Sequence, residues 1–337
     1  MPILTGFVLV LLAGLLQGTF VLPMTMVRRW SWEHTWVTFS GLGMLVFNWI
    51  ITLVLVPNIL TVYAASPSRE LAILALFGMG WGMGAVLFGL GMDRLGMALG
   101  YPIIMGLIAS LGALIPLMVF FPQALLTNKG LILLAGTALV ILGIVLCSVA
   151  GSGRVRSTQS AAVKHSAAFT GGLIIAILAG MLSCLPNVGM AFAGTVIGKA
   201  ESLGVSAASS GNTVWALLFT FGGMVNLAYC LYLMARNKSF ARYWSPETAR
   251  NLGLSALMAV MWIGSFYLYG AGAANLGRWG AIAGWPLFIS VSIVVGNVWG
   301  LWRGEWQDAP SRARHRLNVG LLVLIIAVIL VASSNSF

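Results

Sequence analysis

Apolar runs of roughly twenty residues recur along the whole chain, each closed by a short polar or basic connection. Crossing about 30 Å of hydrocarbon takes about 20 helical residues. By that ruler ten spans fall near 3–23, 35–56, 71–92, 97–121, 131–150, 169–194, 207–234, 251–273, 279–301 and 317–333. The runs lack the alternation of a membrane barrel strand, and a segment in lipid must satisfy its backbone groups internally, so each is predicted to be a helix. The stretch 151–168, rich in Ser, Ala and basic residues, reads as a linker between residues 1–150 and 169–337, with five spans on each side. The predicted fold class is an all-α, polytopic membrane bundle of ten transmembrane helices.

The pattern also repeats itself. Aligning Trp81 with Trp262 brings Gly89 onto Gly270, Gly91 onto Gly272 and Leu95-Gly96 onto Leu276-Gly277; after a three-residue insertion Gly100-Tyr101-Pro102 meets Gly284-Trp285-Pro286. A second echo, at another offset, pairs Ala13, Gly14, Leu16 and Met24 with Ala179, Gly180, Leu182 and Met190. Five spans is an odd number, so the second copy must cross the membrane in the opposite sense. Two inverted halves enclosing a site near the midplane are the usual build of a secondary transporter.

Composition agrees with the pattern, because 60% hydrophobic against 7% charged residues over 337 positions cannot be buried in one water-soluble core. The net charge of +11 is scattered over short connections and forms no basic stripe with interleaved aromatics, so nucleic acid is not expected as a partner. It reads instead as a topology signal. Arg69, Lys129, Lys199 and Arg278 lie on one side, and the other fourteen of the eighteen basic residues lie in the connections after spans 1, 3, 5, 7 and 9. The bias places those connections in the cytoplasm and both termini outside, in the periplasm. Cys147, Cys184 and Cys230 fall inside apolar runs and carry no disulfide or metal pattern.

Candidate chemistry is sparse. All seven acids fall in connections or at span ends, and His34, His165 and His315 read as connection residues. A proton carrier, which usually keeps an ionisable group in the membrane, would have to be Glu33, His34 or Asp93. Neutral amides remain in the spans: Gln17, Asn48, Asn187, Asn212, Asn226 and Asn297. Each alone is accounted for by a helix-to-helix hydrogen bond. Gln17 and Asn187 stand apart because each lies near an expected kink in repeat-related spans. The substrate-binding set expected on these grounds is Gln17, Trp81, Asn187, Asn212, Trp262 and Tyr267, amides and aromatic faces suited to a hydroxyl-rich solute. Pro23, Pro102, Pro186 and Pro286 recur in both halves and are the expected hinges. Trp30, Trp32, Trp36, Trp244, Trp299, Trp302 and Trp306 read as the aromatic belt at the membrane interface. No phosphate loop, nucleophile elbow or metal-ligand cluster is present in the sequence, so no enzyme, cofactor or metal is expected.

Specific segments carry a resemblance. The run Val27-Arg28-Arg29-Trp30-Ser31-Trp32-Glu33 followed by Trp36, LFGMGWGMG from Leu76, GLGMDRLGMALG from Gly89, GGMVNLAYC from Gly222 and GEW from Gly304 together resemble the L-rhamnose-proton symporter family of the drug/metabolite transporter superfamily. The resemblance implies ten helices in a five-plus-five inverted repeat, a bacterial inner-membrane location, and uptake of a sugar coupled to protons by alternating access. Two departures concern function. Where the family pattern has an Asn and a Tyr before the LGM segment, this chain has Ala85, Val86, Leu87 and Phe88; where the ninth span of the family has an acid near an aromatic, it has Arg278-Trp279-Gly280-Ala281-Ile282. Both remove polarity, which keeps two alternatives in view: an exporter of amphipathic metabolites or drugs, and a membrane scaffold or sensor that transports nothing. Spans 5 and 10, the plainest apolar segments, are expected to support packing or a homodimer contact.

Overall fold

The computed structural model describes residues 2–156, 167–277, 280–304 and 306–333. Regular structure among them is entirely helical, and ten helices are long and apolar enough to cross a membrane. These are span 1 Ile3–Met26, span 2 Trp32–Leu55, span 3 Ser68–Gly91, span 4 Ile103–Phe120, span 5 Gly130–Gly151, span 6 Thr170–Phe192, span 7 Ala207–Arg236, span 8 Thr248–Asn275, span 9 Gly280–Trp302 and span 10 Ser311–Val331. Most of the expected linker, 157–166 with Lys164 and His165, lies outside the described residues, as do Arg278, Trp279 and Glu305. Helix persists through Arg156 and resumes at Ala167.

The chain forms two compact units, Met1–Met83 with Gly189–Gly277, and Gly84–Val188 with Arg278–Phe337. In the first unit, Gly6 lies against the Gly272 carbonyl while Gln17 reaches Ser265, so spans 1 and 8 run antiparallel. Trp36 meets Asn226 and Asn48 meets the Trp215 carbonyl, so spans 2 and 7 are antiparallel as well. Gly78 faces Leu218 and Gly82 faces Gly222, which makes spans 3 and 7 parallel neighbours; a Cβ on Gly78 would overlap the Leu218 carbonyl oxygen. In lipid, water does not drive helices together, and small residues earn close backbone approach instead.

The second unit is held by a longer version of that device. Gly136 packs on Val331, Gly143 on Leu324 and Gly320 on Cys147, so spans 5 and 10 are antiparallel along most of their length. Leu117, Leu133, Ile282, Ala283 and Val331 form a fully apolar core beside them.

Three features differ from expectation. Spans 3 and 4 were expected as separate helices, yet helical winding continues from Ser68 to Phe120. Thirteen residues of straight helix would separate Gly91 from Ile104 by about 20 Å, whereas the Ile104 side chain comes within 3.4 Å of where a Gly91 Cβ would stand. The helix is therefore bent back on itself between them, in a stretch carrying Gly96, Gly100 and Pro102, the residue types at which helices kink. Asp93 and Arg94, expected in a connection, belong to this winding. The side chains of Asp93 and Pro102 lie outside the described set.

Span 6 breaks at Cys184, between Ala167–Ser183 and Leu185–Phe192, two residues before Pro186, which lacks the N–H that would continue the ladder. Pro286, by contrast, sits inside the unbroken helix Gly280–Trp302, and Pro23 starts the tight turn Leu22–Met26 that ends span 1. Span 2 contains a π-helical stretch, Gly41–Phe47, that the sequence pattern does not disclose. Such wide turns concentrate at functional sites.

Candidate functional site

The π-helical stretch of span 2 delivers Asn48, which is fully buried. Its amide nitrogen donates to the Met44 carbonyl at 3.0 Å, within its own helix, and to the Ala216 carbonyl of span 7 at 3.2 Å, with the Trp215 carbonyl at 3.4 Å. The Tyr267 hydroxyl of span 8 stands 2.8 Å from the Asn48 carbonyl oxygen and 3.0 Å from its Oδ1, and also meets the Thr52 hydroxyl. One residue thus ties three spans together. A phenol has a single proton, so Tyr267 donates to one Asn48 oxygen and accepts from Thr52.

Beside this polar knot lies an aromatic cluster. The repeat-related Trp81 and Trp262 stack on each other, with centroids 5.8 Å apart and planes inclined by 20°. Phe219 stands 4.8 Å from both Trp262 and Phe266, and Trp215 stacks on Phe219 at 5.3 Å. The ring of Trp81 lies over Gly222, where any side chain would overlap it. Trp215 is fully buried and its indole N–H has no acceptor among the described residues. A buried donor normally finds a partner, so this N–H is an open hydrogen-bonding position within a wall of rings.

Gln17 accepts a hydrogen bond from the Ser265 hydroxyl at 2.8 Å, one helical turn beyond Trp262. Asn212 is buried at the start of the helix Asn212–Arg236. Five of the six expected substrate residues, Gln17, Trp81, Asn212, Trp262 and Tyr267, therefore belong to the first compact unit. Asn187 belongs to the second, where its amide nitrogen donates to the Gly112 carbonyl at 2.7 Å and the Ala281 carbonyl at 2.8 Å.

A second polar group closes one end of spans 2, 7 and 8. His34, expected as a connection residue, is instead fully buried in the first turn of the helix Trp32–Ser40, next to Glu33, which is 7% exposed. The correction has a physical cause: Trp30 and Tyr243, 4.8 Å apart and edge to face, roof the pair over. Glu33 Oε1 accepts from Asn237 Nδ2 at 3.2 Å and Ser239 Oγ at 3.4 Å. His34 Nε2 lies 2.9 Å from the Ser239 carbonyl. Tyr243 donates to the His34 carbonyl at 3.1 Å, and burial pushes its phenol above the ordinary value, although the Thr38 hydroxyl pulls the other way. Trp30 and Trp36 are accordingly not simple belt residues, since Trp30 is buried here and the Trp36 N–H donates to Asn226 at 3.1 Å. Trp244 and Trp302, 89% and 77% exposed, fit the belt expectation.

Sequence reasoning singled out neither Thr52 nor Ser265, nor the rings Trp215, Phe219 and Phe266. Asn48 was visible as a mid-span amide, and its rank rises only once three spans are seen to converge on it. Among the described residues no group of three His, Cys, Asp or Glu is placed to hold a metal ion.

The family profile of the L-rhamnose-proton symport protein (RhaT) matches residues 2–335. A protein named L-rhamnose-proton symporter from Klebsiella pneumoniae subsp. pneumoniae is 29% identical over 315 residues, covering 91% of each chain. Proteins of the same name from Yersinia pestis and Yersinia pseudotuberculosis are 28% identical over 332 residues, covering 96% of each chain.

Proposed function

Since the chain belongs to the L-rhamnose-proton symport protein family, a family of transport proteins and not of enzymes, we propose that it carries a small hydroxylated sugar, with L-rhamnose the first candidate, into the cell together with protons. The observation that carries this reading is the family match from residue 2 to residue 335, which leaves no span outside it. The export and scaffold readings gain no comparable support.

The sugar site proposed is the first-unit cluster. Trp81, Trp262 and Phe219 offer apolar ring faces for the C–H face of a deoxysugar. Tyr267, Asn48, Gln17 and the open Trp215 N–H offer donors and acceptors for its hydroxyls. Pockets that bind small molecules combine such apolar lining with a few placed polar groups. Asn212 lies at the same end of span 7 as Trp215 and is placed with this set. Asn187, whose amide is committed to two backbone carbonyls, is a positioning residue for the break in span 6, where Pro186 is the proposed hinge.

The five-plus-five inverted repeat belongs to this proposal, with halves 1–150 and 169–337. The antiparallel packing of spans 2 and 7, and of spans 5 and 10, supports it, because these are equivalent spans of the two halves. So does the mixing of spans from both halves in each compact unit. Location in a bacterial inner membrane, with both termini in the periplasm, follows from the bacterial relatives and from the basic connections after odd-numbered spans.

The test is uptake of radiolabelled L-rhamnose by proteoliposomes holding the purified full chain. Accumulation that requires an inward proton gradient and collapses with a protonophore is expected. Uptake indifferent to the gradient, or no uptake of any deoxysugar, overturns the proposal.

A further inference from the structure

The pair at the end of span 2 has a feature that sugar binding does not use. The Ser239 carbonyl can only accept, so the proton of neutral His34 must sit on Nε2, which donates to it at 2.9 Å. That leaves Nδ1 as a bare acceptor. It is fully buried and no described residue donates to it. Next in the chain is Glu33, 7% exposed, which no Lys or Arg among the described residues approaches closely enough to pair with. Its two partners, Asn237 and Ser239, are neutral. A buried carboxylate without a cation, beside an imidazole with a free lone pair, is an arrangement that membrane proteins rarely keep without a use for it.

Resting on the proton-coupled reading above, we propose that His34 Nδ1 is the site where the coupling proton binds, with the Glu33 carboxylate as its counter-charge. The proton adds to the Nδ1 lone pair, and neutral imidazole becomes imidazolium. No bond other than N–H forms and none breaks. The resulting His34 cation beside the Glu33 anion replaces an unbalanced negative charge with a neutral pair, so the proton stabilises the buried cluster.

The proposed proton would act on the connections that hold the pair. The connection from Asn237 to Tyr243 supplies the partners of the Glu33 carboxylate and of the His34 ring, Asn237 and Ser239 to Glu33 and the Ser239 carbonyl to His34, and Tyr243 joins Thr38 in donating to the His34 carbonyl. It turns at Lys238 through a left-handed conformation, φ 51°, that non-glycine residues rarely adopt. On the other side Asn251 of span 8 clasps the backbone of Arg28 twice, at 2.8 and 3.3 Å, and Arg242 bonds Ser31. The connection after span 1 and the connection after span 7 are thus latched through Glu33 and His34. The other titratable groups around the pair are Tyr243, on the latch and 5.0 Å from the His34 ring, and buried Cys230 on span 7, which feels the Glu33 charge. Lys238 is exposed. Apart from the Glu33 carboxylate itself, none of these groups competes with His34 Nδ1 as the acceptor.

The experiment uses the full chain, whose three histidines make His34 identifiable. In nanodiscs with ¹⁵N-histidine, one resonance set, missing in His34→Gln, is expected to report the Nε2–H tautomer at alkaline pH and imidazolium once the medium is acidified. Glu33→Gln, which removes the counter-charge, is expected to move the midpoint of that change to more acidic pH. A His34 that stays neutral throughout, that holds its proton on Nδ1, or whose midpoint ignores Glu33→Gln overturns the proposal, whether or not the protein carries sugar.

In proteoliposomes His34→Gln keeps a nitrogen to donate to the Ser239 carbonyl, and its amide oxygen, although an acceptor, is not basic enough to take up a proton. It is expected to retain L-rhamnose exchange without a gradient and to lose the roughly tenfold accumulation that one pH unit can sustain at one proton per sugar. Gradient-driven accumulation at the wild-type level in His34→Gln overturns the proton site. Failure of wild-type protein to move L-rhamnose overturns the sugar reading, and the titration still decides the site. If His34→Gln does not fold, the Glu33→Gln titration decides it.

Discussion

In the unit of Met1–Met83 and Gly189–Gly277, buried polar side chains bond to one another across spans: Tyr267 to Asn48 and Thr52, Ser265 to Gln17, Trp36 to Asn226, Trp49 to Thr220. In the unit of Gly84–Val188 and Arg278–Phe337 they mostly bond back to their own helix, Ser110 to the Gly106 carbonyl, Thr137 to Leu133, Ser292 to Ile289, Asn297 to Ile293. Cross-span bonds there end on backbone, as with Asn187 and with the Trp285 N–H to the Ile108 carbonyl at 2.9 Å. A side chain bonded to another side chain can exchange that partner for a sugar hydroxyl without unravelling a helix. One bonded only to backbone carbonyls has no such partner to exchange, whereas Asn48, Ser265, Asn226 and Thr220 combine a bond to their own helix with one to a side chain of another span. The contrast is the ground on which recognition is proposed for the first unit and support for the second.

The largest effect that would break this contrast is at Gly78. Gly78→Val puts a branched side chain into the Leu218 carbonyl, a backbone atom that cannot yield as a side chain would, so the cost goes beyond the about 1–3 kcal/mol of ordinary overpacking and spans 3 and 7 are expected to separate. Loss of monodisperse protein on size-exclusion chromatography is expected. Next is Trp262→Ala, which removes the centre of the ring cluster; truncations of this type cost about 3–5 kcal/mol. Melting measurements should show a strongly destabilised carrier without uptake, while Trp262→Phe should restore the fold and only part of the sugar affinity.

Tyr267→Phe leaves Asn48 Oδ1 and the Thr52 hydroxyl short of a partner, at about 1–3 kcal/mol. Its half-saturation concentration should rise several-fold, whereas Ser292→Ala, in the second unit, should leave affinity unchanged. Asn187→Ala sharpens the same distinction. It removes two interhelical bonds, each worth about 0.6 kcal/mol on average, so melting temperature and maximal rate should fall while affinity holds. A raised half-saturation concentration would return Asn187 to the sugar site. Trp302→Ala, on an exposed belt residue, should change stability by less than about 0.5 kcal/mol.

Ten spans were legible because twenty-residue apolar runs have few physical alternatives, and five of the six expected site residues fall in one compact unit. What stayed hidden depends on three-dimensional partners. Asn48 looks like five other amides until spans 7 and 8 are seen to meet it. Asn187 looks like Gln17 until its amide is found on two carbonyls. Glu33 and His34 follow Trp30-Ser31-Trp32, a polar stretch that reads as interface. Only the return of the Asn237–Tyr243 connection, two hundred residues later in sequence, buries them. Periodicity likewise cannot show a π-helical turn such as Gly41–Phe47, because one extra residue per turn leaves the apolar run intact.

The most direct test of sugar and proton moving together is the pH of a weakly buffered suspension of proteoliposomes. Adding L-rhamnose outside should raise the external pH at once, as protons leave the medium with the sugar, and a protonophore or Trp262→Ala should abolish the rise. Sugar uptake with no change in external pH would contradict symport.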